Sequence, residues 1–147
     1  MDALPNIHLV GMFIVLFTIV FRAKALISIY VYVSLLLVYS GFSPWWVPNL
    51  YIWTVLWGFA MLLPRNMPKK VAAVVYPAVC GLHGFIFGLL YAPAQALMFG
   101  LTFKGAVAWV IAGLPFDAIH GVGNLLVGVL ILPLSELLKK VLSRITK

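Results

Sequence analysis

The sequence predicts an all-α integral membrane protein, a compact bundle of five to six transmembrane helices in a single domain over residues 1–147. Three observations carry this prediction. Hydrophobic residues make up 65% of the chain and charged residues 9%, against roughly 45–50% and ~25% in soluble domains. A soluble fold of 147 residues has too little interior to hide that surface, and a disordered chain would be polar, so both classes are excluded. The charges also fall in short clusters between long uncharged stretches. Residues 3–21, 25–64, 71–103, 105–116 and 118–135 contain no Asp, Glu, Lys or Arg, and a spanning helix needs ~20 apolar residues.

Taken in order, the first stretch fits one span over residues 4–21. The second is twice that length and must turn back once. The turn is Gly41 to Asn49, where Pro44, Pro48 and Gly41 interrupt helix and Trp45 and Trp46 suit a membrane interface. Spans two and three are therefore expected at 25–40 and 49–63. Pro64, Arg65, Pro68, Lys69 and Lys70 form a basic turn, and span four follows at 71–91. The last clear span is expected at 115–138. Pro115 suits a first helical turn, and Asp117 there favours the positive end of the helix dipole. Residues 92–113 begin with Ala92-Pro93, expected to break the preceding helix. With Gly100, Thr102, Lys104 and Gly105 interrupting an apolar run, the segment reads as re-entrant or as a sixth span.

Basic residues are biased to the cytoplasmic side of membrane proteins. Five spans put Arg22, Lys24, Arg65, Lys69, Lys70 and the tail Lys139, Lys140, Arg144 and Lys147 on one side, with Lys104 opposite. The expected topology is a multi-pass cell-membrane protein with its N-terminus outside and its C-terminus cytoplasmic. The net charge of +7 then encodes topology, and nucleic acid is not an expected partner. The lone Cys80 cannot form an internal disulfide.

Chemistry has little material. Three acids in the chain leave no paired carboxylates, and no phosphate loop, zinc helix or nucleophile elbow is present. No catalytic residue, metal or cofactor is expected, so the chain is not read as an enzyme. The informative run is Gly113 to Asn124. Asp117, His120 and Asn124 are three and four apart and share one helix face, flanked by Gly121 and Gly128. Such a face turns toward a cavity or a neighbouring helix rather than lipid. Spacing alone fits a ligand pocket and an interhelical hydrogen-bond cluster equally well. Gln95, at the border of the outer segment, is a further candidate pocket residue, or a solvated loop residue. Phe42, Trp45, Trp46, Tyr51, Trp53 and Trp57 read mostly as interfacial belt residues; some of them could stack on a flat ligand, with Trp109 able to join them, and Trp46 is taken as a candidate ligand-binding residue. His83 reads as a hydrogen-bonded packing residue. Gly81, Gly84 and Gly88 form a small-residue face that admits another helix of the bundle.

The stretch Leu114–Gly128, ending in Leu132-Pro133-Leu134, resembles the last helix of the substrate-binding S components of energy-coupling factor (ECF) vitamin transporters. Its specific part is the Phe-Asp-x-x-His-x-x-x-Asn pattern from Phe116 to Asn124. Pro44 to Leu63 and Gly84 to Tyr91 look like preceding helices of the same proteins, so the resemblance covers roughly residues 40–140. It implies a small-molecule-binding subunit that captures a vitamin or related micronutrient from outside. Such a subunit pairs with a transmembrane coupling subunit and cytoplasmic ATPases, and topples in the bilayer to release its ligand. It also implies a ligand role for Asp117, His120 and Asn124. The family has six helices, often with a small-xxx-small pattern on the first; the first span here has no Ala-xxx-Ala. The competing expectation is a structural or assembly membrane protein with no transported ligand, whose polar cluster holds helices together.

Overall fold

The computed structural model describes residues 9–145. No strand occurs among them. The α-helices are α1 Val10–Phe21, α2 Ala25–Ser40, α3 Asn49–Met61, α4 Lys69–Phe85, α5 Phe87–Phe99, α6 Phe103–Gly128 and α7 Ile131–Ile145. Three helical stretches, Val10–Ser40, Lys69–Phe99 and Phe103–Gly128, are long and apolar enough to cross a membrane. The helix count therefore differs from the expected five to six, because two expected spans are broken and two boundaries fall elsewhere. Of the expected span 4–21, residues 4–8 lie outside the described residues.

The first apolar stretch reverses on itself. Arg22 has φ 54° and ψ −124°, a turn conformation that costs a non-glycine residue on the order of 1 kcal/mol or more. Its guanidinium compensates. Nη2 donates to the Met61 carbonyl at 2.6 Å and Nη1 to the Leu63 carbonyl at 3.4 Å. Those carbonyls close the C-terminus of α3, where the helix dipole favours a cation. The reversal lays α1 antiparallel to α2, with Val10, Phe13 and Phe17 facing Ser28, Ile29 and Tyr32 across an apolar cavity of about 280 Å³.

Gly41, at φ 72°, ends α2, and a single tight turn at Pro44–Trp46 leads into α3. The hairpin is tied by Tyr30 Oη to Thr54 Oγ1 at 3.0 Å and by Trp46 Nε1 donating to the Val33 carbonyl at 2.8 Å. Met12, Val15, Ile29, Val33, Trp53, Leu56, Tyr76, Cys80 and Ile131 form the buried centre. In a bilayer such a centre is held by close packing rather than by transfer out of water.

The tightest packing joins α4 to α6 through glycine. A Cβ on Gly84 would sit 2.8 Å from the Gly121 backbone, and one on Gly128 would sit 2.7 Å from Pro77 Cα. The small-residue face of α4 thus receives another helix of the same bundle, as its spacing suggested.

Beyond the proline-bearing turns that flank α3, the breaks do not fall at the prolines. The expected span 71–91 is interrupted at Ile86, between α4 and α5. Pro93 lies inside α5 and Pro115 inside α6, thirteen residues into that helix. Membrane helices tolerate proline because neighbouring groups re-satisfy the freed backbone. Residues 92–113 are therefore neither a re-entrant unit nor a separate span. They are the tip of an α5–α6 hairpin, turned by Gly100 at φ 64° and started again by Thr102, whose Oγ1 accepts from Gly105 N–H at 3.2 Å. The expected helix 115–138 begins twelve residues earlier and is interrupted at Val129–Leu130, where tighter bonds run from Val129 N–H to Leu126 O and Leu130 N–H to Val127 O. Pro133, with no N–H to give, follows in the first turn of α7. Beyond it, Glu136 meets Lys69 of α4 at 2.6 Å.

Candidate functional site

Asp117 does not support its own helix. Both of its carboxylate oxygens accept from Gly88 N–H, at 3.0 and 3.1 Å. Gly88 is the second residue of α5, so the carboxyl caps the N-terminus of a neighbouring helix. The dipole expectation was right in kind and wrong in helix. The reason is position: Asp117 is mid-helix in α6, where its own N–H neighbours are already bonded. Taking the Gly88 N–H out of the helical ladder is also the local cause of the Ile86 break, since a side chain inserted into the i to i−4 ladder interrupts a helix. Glycine at position 88 leaves room for the carboxyl, since a Cβ there would collide with Asp117 Oδ2 and displace it.

Around this junction lies a cavity of about 240 Å³ lined by Trp45, Phe87, Gly88, Tyr91, Trp109, Gly113, Phe116, Asp117 and His120. Trp109, Gly113, Asp117 and His120 recur along one face of α6. Phe87, Gly88 and Tyr91 come from the first turns of α5, and Trp45 from the turn before α3. The Tyr91 and Trp109 rings stack, with centroids 5.8 Å apart and planes 24° apart. Trp45 meets Tyr91 at 6.0 Å. Tyr91 Oη donates to the Trp45 carbonyl at 3.1 Å, and Tyr51 Oη donates to the Leu90 carbonyl at 2.6 Å. These bonds hold the aromatic wall in place. His120 meets the Phe87 ring at 4.7 Å, edge to face. Phe87 in turn packs on His83 and Trp53, and His83 Nε2 lies 3.1 Å from the Ile52 carbonyl. His83 is thus a core packing residue behind the cavity wall.

The five residues expected to bind ligand separate into two groups. Asp117 and His120 line the cavity. Asn124, one turn further along the same face, is sealed at 1% exposure. It lies against Gly11 of α1 and Cys80 of α4: a Cβ on Gly11 would be 3.2 Å from Asn124 Nδ2 and 3.4 Å from Cys80 Sγ. Asn124 Nδ2 has no hydrogen-bond partner among the described residues. Gln95 is neither in a loop nor on the cavity. It is buried in α5, two turns past Gly88, with its Oε1 unpartnered among the described residues. Trp46 points to α2 through its bond to Val33, and its neighbour Trp45 takes the place on the cavity wall. Consecutive residues in a tight turn point in different directions, which separates the two tryptophans.

The cavity residues that sequence reasoning did not place in a pocket are Phe87, Gly88, Tyr91, Gly113 and Phe116, and Trp45 stood only among the aromatics of which some could stack on a ligand. One signal was available: Trp109, Gly113, Asp117 and His120 share a helical stripe once the helix is allowed to run through Pro115. Two other large cavities, the one between α1 and α2 and one of about 530 Å³ flanked by α5 and α6, are almost wholly apolar. The first carries the hydroxyl residues Ser28 and Tyr32 in its lining, and neither holds a carboxyl or an imidazole. Among the described residues, no three His, Cys, Asp or Glu come together as a metal site. No protein-family model, curated protein or solved structure matches the chain.

Proposed function

We propose that this protein is the small-molecule-binding subunit of an ATP-driven uptake transporter, taking a vitamin or related micronutrient from the outer side of the cell membrane. The observation that carries the reading is the aromatic cavity with Asp117 and His120 in its wall. A polar pair inside an apolar helical bundle is costly without a function or a partner. A cavity closed by a few aromatic rings with two convergent polar groups is the ordinary form of a ligand site. The resemblance of Leu114–Gly128 to ECF S components points the same way.

In this reading α1, α2, α3, α4–α5 and α6–α7 make five passes. Arg22, Lys24, Arg65, Lys69, Lys70, Lys139, Lys140 and Arg144 lie at the cytoplasmic end and Lys104 at the outer end, with the N-terminus outside. Arg22 bonding to the end of α3, and Lys69 to Glu136, support a common end for the basic groups. The cavity lies toward the other end, so ligand enters from outside and Asp117, His120 and the aromatic wall hold it. The chain carries no nucleotide motif, so release to the inside is driven by a partner coupling subunit and its cytoplasmic ATPases.

The test has two parts. The purified protein should hydrolyse no ATP alone and should co-purify with ECF coupling and ATPase subunits when expressed with them. A Ser143→Cys variant in a Cys80-free background should resist a membrane-impermeant thiol reagent applied to intact cells, and Ser43→Cys should label. Outside labelling at position 143 rejects the topology. A monodisperse protein that joins no such module favours the structural or assembly reading instead.

A further inference from the structure

Resting on the cavity being a ligand site, we infer that its ligand is a small planar heteroaromatic cation. The geometry of one acid carries this. Asp117 is 7% exposed, and among the described residues its carboxyl accepts from a single donor, the Gly88 N–H, which both oxygens share. A carboxylate offers about four acceptor positions, so most of its capacity is unused by the protein. No Lys or Arg lines the cavity. The ion pair of the other described acid, Glu136 with Lys69, is between α7 and α4. An acid enclosed without a cation is an unfavourable arrangement that a positively charged ligand relieves.

The walls select shape and reinforce the charge. Tyr91 and Trp109 lie with their planes 24° apart and Trp45 meets Tyr91 at 36°. Ring faces carry negative quadrupole density, so they attract a cation and stack on a flat one. The volume of about 240 Å³ suits a ligand of one or two rings. Inside these walls an anion would face Asp117, with the imidazole of His120 the one basic group in the lining and no Lys or Arg beside it.

The experiment uses the full chain in detergent and three probes built on the same fused two-ring frame: 1-methylquinolinium, quinoline and 1-naphthoate. Equilibrium dialysis should find the cation bound about tenfold or more tightly than quinoline, since each tenfold step is a free-energy increment of the size of one desolvated cation–ring contact. The naphthoate should bind weakest. Asp117→Asn keeps an oxygen to accept from Gly88 N–H, so the cap survives; it should erase the preference for the cation over quinoline. Gly113→Leu should abolish binding of every probe without loss of fold, because a Cβ at Gly113 meets open space. Tighter binding of quinoline or naphthoate, or a cation preference that survives Asp117→Asn, overturns the ligand class. Failure of all three probes overturns it as well. The cavity reading survives such a failure if heat releases a small molecule from the wild-type protein and not from Gly113→Leu, and falls with it otherwise.

Discussion

His120 and Asp117 sit one and two turns outward of Asn124 on the same face of α6, yet they and Asn124 meet different neighbours. Outward, α6 faces the first turns of α5 and the turn before α3, whose large rings cannot close on one another and leave about 240 Å³ between them. Inward, it faces α4 through Gly81 and Gly84 and α1 through Gly11, and the backbones come together until Asn124 is sealed. A polar stripe with uniform spacing therefore becomes a cavity wall at one end and a packing element at the other. The residue size on the opposing helix makes the difference: glycine admits a backbone, and Trp, Tyr and Phe hold one off.

The largest expected effect tests the closed end. Gly84→Val places carbon where the Gly121 backbone already lies 2.8 Å away. Overpacking against backbone that cannot rotate aside should destabilise the bundle by on the order of 3 kcal/mol. The melting temperature in detergent should fall steeply, and binding should fall with it. A Gly84→Val protein that melts like the parent would remove the argument for glycine-mediated closure.

His120→Ala tests the open end. Ligand affinity should weaken by about 1–3 kcal/mol, the range for deleting a polar partner in an enclosed site, while melting changes little. The reverse pattern, early melting with affinity intact, would make His120 a packing residue like Asn124 and erase the contrast between the two ends.

Asn124→Ala is expected to do the opposite of His120→Ala, at smaller scale. Its Nδ2 has no partner to lose, so the cost is lost packing, about 1 kcal/mol, read as a modest drop in melting temperature. Ligand affinity should be unchanged; a tenfold loss would extend the binding wall inward to Asn124.

The smallest effect sharpens the comparison from the glycine side. Gly113→Ala adds a methyl where nothing lies within 4 Å, in contrast to the collision at Gly84. Alanine should stabilise α6 by about 0.5–1 kcal/mol through helix propensity alone, raising the melting temperature slightly. Destabilisation there would mean the cavity is narrower than its walls indicate.

Much of this was legible in the chain itself. Charge-free stretches located the apolar helices, and the Gly41–Asn49 turn separated α2 from α3, because a bilayer permits few charges and glycine with proline marks a turn locally. The shared face of Asp117, His120 and Asn124 followed from helical periodicity, as did the close approach at Gly84. The misplaced boundaries share one cause. Pro93 was read as a helix breaker and Pro115 as a helix start, both from proline's intrinsic cost in a helix interior, about 3 kcal/mol in an exposed helix, and packing in the bundle overrides that cost. The true break at Ile86 is set by a carboxyl that takes the Gly88 N–H from twenty-nine residues further along the chain, so nothing local marks it.

The sequence by itself thus determined the solvent of this protein, its helical class and the polar stripe on α6, since composition, hydropathy and periodicity act over one or two turns. Tertiary structure alone decided which end of the stripe opens, that Trp45 rather than Trp46 lines the cavity, and that Asp117 caps α5 instead of α6. Each of those depends on which side chain or backbone atom arrives from a distant helix, and such arrivals are fixed by packing at 3–4 Å, a distance scale on which adjacent residues in the chain are not equivalent.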